Sequence, residues 1–337
     1  MLCSIIVPTR DRSKFLEGML NSLLKQALPQ DQFELLVVDN GSMDKTKEVV
    51  HSFLPKFKNA RYFYTEEPGL HVGRHKGLFE ARTDILVYAD DDIIATPTWL
   101  EGVVESFQDS EAVLVGGNNY PLFQAAPPWW LESMWKPDGL IRKCVPYLSI
   151  LDFGQQCMEG NHYVWGCNFS IRKDVLLDAG GFHPDSMPEN LIHFRGDGES
   201  HVTNFIIQKG YKSLFNPKAS IHHIVPENRM SLEYFKRRAL NQGISDSYSS
   251  IRYQGGIYLD NYNIFNRFKK SMLRFKERFI HVSRETYVSH LKVTQSLEYF
   301  RLLQEIHTSY YKGYAYHQKM AQENPSLLEW ILKPYYY

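Results

Sequence analysis

"LVYADDDIIATP", residues 86–97, ends an apolar run in three consecutive carboxylates, Asp90, Asp91 and Asp92. Adjacent like charges repel and raise one another's pKa unless a cation sits among them. Such a tip is either a solvated turn before a helix at Pro97 or a seat for a divalent ion. In an extended segment Asp90 and Asp92 point to one side, and Asp91 turns away to a supporting or solvated position. Mg²⁺ and Mn²⁺ commonly take one or two carboxylates together with substrate phosphates. An acidic turn says little alone; at the end of a buried strand of a parallel sheet it says more.

The flanking sequence supplies that sheet. "CSIIVP" (3–8), "FELLVVDNGS" (33–42), "ARYFYTE" (60–66), "DILVYA" (84–89) and "AVLVGG" (112–117) are short apolar runs of strand length. Between the first two, Phe15, Leu16, Met19, Leu20, Leu23 and Leu24 form one helical stripe. Residues 44–53, 71–81 and 97–107 read as further helices, the last with Pro97 in its first turn. A βαβαβαβαβ run implies a parallel sheet covered by helices on both faces. Ligands on such sheets sit outside the carboxyl ends of the strands. Three polar clusters fall there: Thr9-Arg10-Asp11, Asp39-Asn40-Gly41-Ser42 and the acidic triplet.

Bulk composition narrows the function classes. Lys plus Arg equals Asp plus Glu at 38 each, so the basic footprint of a nucleic-acid binder is missing and no nucleic-acid partner is expected. Cys3, Cys144, Cys157 and Cys167 show no CxxC spacing, which removes zinc-ribbon and redox motifs and suits a reducing compartment. "MLCSIIVPTR" lacks the basic start and long apolar run of a signal peptide. No apolar stretch reaches the ~18 residues of a membrane helix. The expected location is cytoplasmic, with peripheral attachment to the membrane face left open.

Downstream, "PPWWLESMW" (127–135) reads as a loop or short helix. "RGDGES" (195–200) opens a helix from about Glu199 to Lys209 that stops at Gly210. "SIHHIVP" (220–226) is a strand ending in histidines, and beyond Arg229 the chain turns helical, basic and aromatic.

"SIIVPTRDR", "LLVVDNGSMDKT", "GLHVGRHKGLFEA" and "LVYADDDIIATPTWL", in this order and spacing, resemble the nucleotide-binding half of family 2 glycosyltransferases. "VWGCNFSIRKDVLLDAGGF", "RGDGES" and "HHIVPENRMS" resemble that family's acceptor half, and the likeness spans residues 3–245. It implies an α/β GT-A fold, a Rossmann-like and mostly parallel sheet flanked by helices, with a helical C-terminal extension. The implied division is a catalytic domain over 1–230, with halves 1–117 and 118–230, then a helical region over 231–337.

The resemblance also implies roles. Pro8, Thr9 and Arg10 line the nucleotide pocket, Asp39 accepts a hydrogen bond from the base, and Arg74 holds base or phosphate. His75 stands where the family usually has Asn. Asp90 meets the ribose or the metal shell, while Asp92 and His223 hold Mn²⁺ or Mg²⁺; His222 points the other way on its strand. Read from residues alone, that His pair is as readily structural. Glu199 or Asp197 is the base for the acceptor hydroxyl, with Glu199 nearer the family position; as plain helix-start acids both would merely cap. Trp165, Gly166 and Asn168 lie beside donor sugar and acceptor, although a core Trp is the commoner fate. Arg229 contacts the diphosphate or is an ordinary surface residue.

The implied activity is metal-dependent, inverting sugar transfer from a nucleotide sugar, a UDP-sugar foremost, to a glycan or lipid-linked acceptor. A nucleotidyltransferase is the first rival, but "PTRDRSKF" lacks its glycine-rich phosphate loop. A binding-only relative is the second. "RFKKSMLRFKERF" (267–279) sets Phe268, Met272, Phe275 and Phe279 against Lys and Arg. That pattern suits either a packed helix or peripheral contact with an anionic membrane through the C-terminal helices.

Overall fold

A computed structural model of the protein describes residues 1–135, 141–160, 164–257 and 293–337. Strands β1 (Cys3–Thr9), β2 (Phe33–Asp39), β3 (Ala60–Tyr64) and β4 (Ile85–Ala89) form a parallel block in the order β3-β2-β1-β4. Side chains alternate across it. Ile5, Val7, Leu35 and Val37 enter one apolar cluster, while Ile6, Leu36, Leu86 and Tyr88 enter another. Both faces of β1, β2 and β4 are therefore buried, which is why these three read as unbroken apolar runs, whereas the edge strand β3 is half-exposed.

Beyond β4 the sheet is mixed. β6 (Ala112–Gly116) was expected as a fifth parallel strand in series, but β11 (Asn168–Arg172) lies between β4 and β6, antiparallel to both. β12 (Lys212–Phe215) and β10 (Met158–Glu159) complete that edge. A strand buried on both faces carries the same apolar pattern whatever the direction of its neighbours, so order could not be read from sequence.

Four helices follow the early strands: α1 (Ser13–Leu23), α2 (Thr46–Phe53), α3 (Leu70–Glu80) and α4 (Trp99–Ser106). α1 buries Leu16, Met19, Leu20 and Leu23, the stripe read from sequence. α4 starts two residues beyond Pro97, which therefore precedes the first turn instead of occupying it. α3 sits close to the sheet because Gly77 faces Ile6. A Cβ at Gly77 would lie 2.2 Å from Ile6 Cγ2. Gly77→Ala is therefore expected to cost about 1–3 kcal/mol by overpacking. A denaturant midpoint equal to that of the wild type would refute this account of the contact.

A second sheet was not anticipated from sequence. Its order is β5-β13-β7-β9-β8, from β5 (Ile93–Ala95), β7 (Asn119–Phe123), β8 (Lys143–Val145), β9 (Ile150–Asp152) and β13 (Ile221–Val225). These strands are 3–5 residues long, too short for a clear alternation. The remaining helices are α5 (Trp129–Ser133), α6 (Lys173–Asp178), α7 (Ser200–Lys209), α8 (Leu232–Gln254), α9 (Val293–Glu323) and α10 (Pro325–Leu332). α7 ends at Gly210 in the left-handed conformation, φ 67°.

Two units result: Met1–Ser231 together with Lys333–Tyr337, and Leu232–Leu332. In the second unit, α8 and α9 approach closely through facing glycines. A Cβ at Gly243 would lie 2.0 Å from the Tyr310 carbonyl oxygen, and one at Gly313 2.0 Å from that of Leu240. The basic stretch 267–279 lies outside the described residues. Among the described residues, no helix is long and apolar enough to cross a membrane.

Candidate active site

The acidic triplet leaves β4 at its carboxyl end and runs directly into β5. β5 pairs antiparallel with β13, placing His223 opposite Ile93, and the Ile224 amide donates to the Asp92 carbonyl at 2.9 Å. This short ladder sets His223 beside Asp92, although about 130 residues separate them in sequence. The His223 Nε2 atom lies 3.4 Å from Asp92 Oδ1. One ligand atom from each of Asp90, Asp92 and His223 falls within 4.8 Å of the others. His222 faces the opposite side, its ring 5.6 Å from that of Tyr120.

This donor set fits a divalent cation. Asp92 Oδ1 is buried, with His223 Nε2 at 3.4 Å and no hydrogen bond within geometric limits from the described residues, a costly state for a carboxylate oxygen unless it ligates.

Two arginines neutralise the triplet from its flanks. One Arg12 guanidinium nitrogen lies 3.1 Å from Asp91 Oδ1 and the other bonds Asp92 Oδ2. Arg229 reaches the same Asp92 oxygen at 2.8 Å. Burial alone would raise Asp92, but His223, Arg12 and Arg229 hold it below the ordinary carboxylate range. Asp91 is raised, chiefly by burial and next by its acidic neighbours, against the pull of Arg12. Its side chain is 3% exposed and accepts from Thr9 Oγ1 at 2.7 Å, so it supports the turn and does not face solvent. Asp90 is raised by burial and by Asp92.

Arg74 joins this cluster to the opposite wall. Its guanidinium lies 3.8 Å from Asp90 Oδ1 and 3.2 Å from Glu199 Oε2. Glu199 stands at the start of α7, and its Oε1 accepts from the Gly166 amide at 2.9 Å. Gly166 lets the Arg74 guanidinium come close, since a Cβ there would lie 2.1 Å from it and push it aside. Glu199 is thus fixed by both its oxygens and remains 22% exposed on the side chain. Asp197 instead pairs with His183, 2.6 Å between Oδ1 and Nδ1. The structure sets Glu199, not Asp197, beside Arg74.

The other expected residues separate into two groups. Asp39 lies at the β2 tip, accepting from the Ser42 amide and the Tyr62 hydroxyl at 2.8 Å each. Each of its oxygens has capacity for a further hydrogen bond. Pro8 is buried in β1 beside Gly73, and Arg10 is exposed and contacts Asp11 at 3.8 Å. Trp165 is half-buried against the core. Asn168 is turned inward: it accepts from Trp99 Nε1 at 2.9 Å and donates to Asn119 Oδ1 and the Ala219 carbonyl. The hydrogen bonds expected between Asn168 and a sugar are therefore spent within the core. Arg12 was missed, though its signal lay in the polar tip after β1, two residues beyond the Arg10 that was chosen.

Behind Arg74, two α3 histidines are buried. Burial pushes His71 down to about 4 and His75 down to about 3. The fold thus favours their neutral forms, and this contribution to stability is complete above their ordinary value of 6.5. It declines as pH falls from there through the folded values. His75→Asn, which cannot titrate, is expected to lessen the fall in melting temperature between pH 6.5 and about 4. An unchanged slope would contradict this.

The mixed sheet with a metal-compatible acidic tip defines a GT-A architecture. A Pyrobaculum calidifontis mannosyltransferase, solved with GDP-Man and Mn²⁺, superposes with a TM-score of 0.51 at 19% identity, covering 72% of this chain and 62% of that one. The sequence model of glycosyl transferase family 2 matches residues 4–180, and the chain belongs to that family. Glycosyltransferase AglE of Haloferax volcanii is 27% identical over 213 residues, 63% of this chain and 63% of the relative. A glucosyl-dolichyl phosphate glucuronosyltransferase of the same organism is 24% identical over 257 residues, 75% of this chain and 79% of that protein.

Proposed function

We propose that this protein is an inverting glycosyltransferase that moves a sugar from a nucleoside-diphosphate sugar, foremost a UDP-sugar, to a hydroxyl of a glycan or lipid-linked saccharide. The observation that carries the reading is the joining of Asp90, Asp92 and His223 to Glu199 through Arg74 at the carboxyl edge of the sheet. The relatives' names support sugar transfer, and the glucuronosyltransferase name supports a lipid-linked acceptor.

In this mechanism Asp39 holds the base and Thr9 steadies the acidic turn through Asp91. Asp92, His223 and Asp90 would hold a divalent cation, whose charge would offset that of the diphosphate. Arg12 and Arg229 sit on the same carboxylate and supply further positive charge as the leaving group forms. Glu199 takes the proton of the acceptor hydroxyl while its oxygen attacks the anomeric carbon. The bond from that carbon to the β-phosphate oxygen breaks, and the nucleoside diphosphate leaves with the electron pair. One displacement inverts the anomeric centre.

Thermal-shift titration with UDP, GDP, ADP and their sugars, with and without Mn²⁺, tests the reading. A cation-dependent shift with UDP is expected. Equal shifts with every nucleotide would overturn the proposed base contact at Asp39.

A further inference from the structure

The segment Lys333–Tyr337 belongs to the first unit, although the whole second unit precedes it in sequence. It meets that unit directly behind the residue that follows Arg74. His75 Nδ1 lies 3.2 Å from the Tyr336 carbonyl oxygen, and the Phe182 amide donates to His75 Nε2 at 2.9 Å. A nitrogen that accepts carries no proton, so His75 is neutral and donates from Nδ1 to Tyr336. One imidazole therefore ties α3, the loop after α6 and the C-terminal segment together.

Ring contacts repeat the connection. The Tyr337 ring stands edge-on to His75 at 5.3 Å and to Phe79 at 5.2 Å. The Tyr336 ring stands between His71, at 6.3 Å, and His183, at 5.4 Å. His183 in turn pairs with Asp197 and stacks on His201 at 3.6 Å between centroids. The seat is cut to size by Gly180 and Gly181, with φ of 84° and 76°. A Cβ at Gly180 would lie 3.2 Å from the Tyr335 ring, and one at Gly181 2.6 Å from His75 Nε2 and 2.9 Å from the Tyr337 ring.

We propose that Tyr335–Tyr337 is a strap that positions the reaction machinery, acting on Arg74 through His75 and on the Asp197–Glu199 segment through His183. The proposal rests on the transferase reading for its kinetic consequence, and on the geometry alone for its structural one. His75, His183 and Tyr336 are positioning residues: His75 adjoins Arg74 in α3 and accepts from Phe182, whose ring lies 5.0 Å from the Arg74 guanidinium, His183 pairs with Asp197, and none is assigned a contact with donor or acceptor.

The test is hydrogen exchange at the Phe182 amide, with donor hydrolysis measured in parallel, on the full chain and on a variant lacking Tyr335–Tyr337. Deletion is expected to speed Phe182 exchange by about tenfold or more, because His75 loses the acceptor that orients it. It is also expected to lower kcat by about tenfold, with KM for the nucleotide sugar within about twofold, as misplacement of a reacting group does. Tyr337→Phe keeps the ring contacts and should leave both readings near wild type. Unchanged Phe182 exchange overturns the strap whatever the rate does. Lost protection at unchanged kcat overturns the positioning role. A wild type that hydrolyses no nucleotide sugar defeats the transferase reading instead, while Phe182 exchange still decides whether the segment orders the loop.

Discussion

Asp92→Asn is expected to lower turnover of a nucleotide sugar by about 10²–10³-fold or more, the scale for losing a charge-stabilising group at a leaving oxyanion. Asp92 is the hub of the site: His223, Arg12 and Arg229 all converge on its carboxylate. The amide keeps the volume and loses the charge. Removing one partner of a fully buried ion pair can cost about 3–5 kcal/mol. Here the guanidinium side chains are 30% and 21% exposed, so they regain water and the fold should survive. Circular dichroism and a melting curve check that the loss is chemical. Turnover within a few-fold of wild type would remove Asp92 from the mechanism.

Glu199→Gln is expected to lower kcat by about 10²–10⁴-fold, the range for general-base catalysis, while nucleotide affinity changes little. Glutamine keeps one acceptor, for the Gly166 amide or for Arg74, and turns its NH2 toward the other donor, so a melting curve alongside the kinetics checks that the wall keeps its shape. Asp197→Asn should have a smaller effect, felt through His183. The reverse order, with Asp197 the costlier loss, would transfer the base to Asp197. Measuring kcat and KM for both variants with one donor decides between them.

The parallel block and its strand tips were legible because burial on both faces writes unbroken apolar runs, and the polar residues after them stand out. Asp92 and His223 came together through the pattern at each strand end, though the ladder that joins them is only three residue pairs long. The second sheet was illegible for that same brevity. Arg12 was passed over because an Arg in a polar tip carries no sign of which carboxylate it will meet. Asn168 turns inward, and an Asn at the start of a strand reads alike whether it faces sugar or core; only Trp99 and Asn119 settle its direction. The docking of Tyr336 on His75 crosses 261 residues and leaves no periodic trace.

The most direct test of the donor site is calorimetric titration of UDP into the wild type and into Asp92→Asn, each with and without Mn²⁺. Binding to the wild type is expected to tighten at least about tenfold with Mn²⁺, with no such tightening in the variant. Equal Mn²⁺ dependence in both proteins, or none in the wild type, would contradict that expectation.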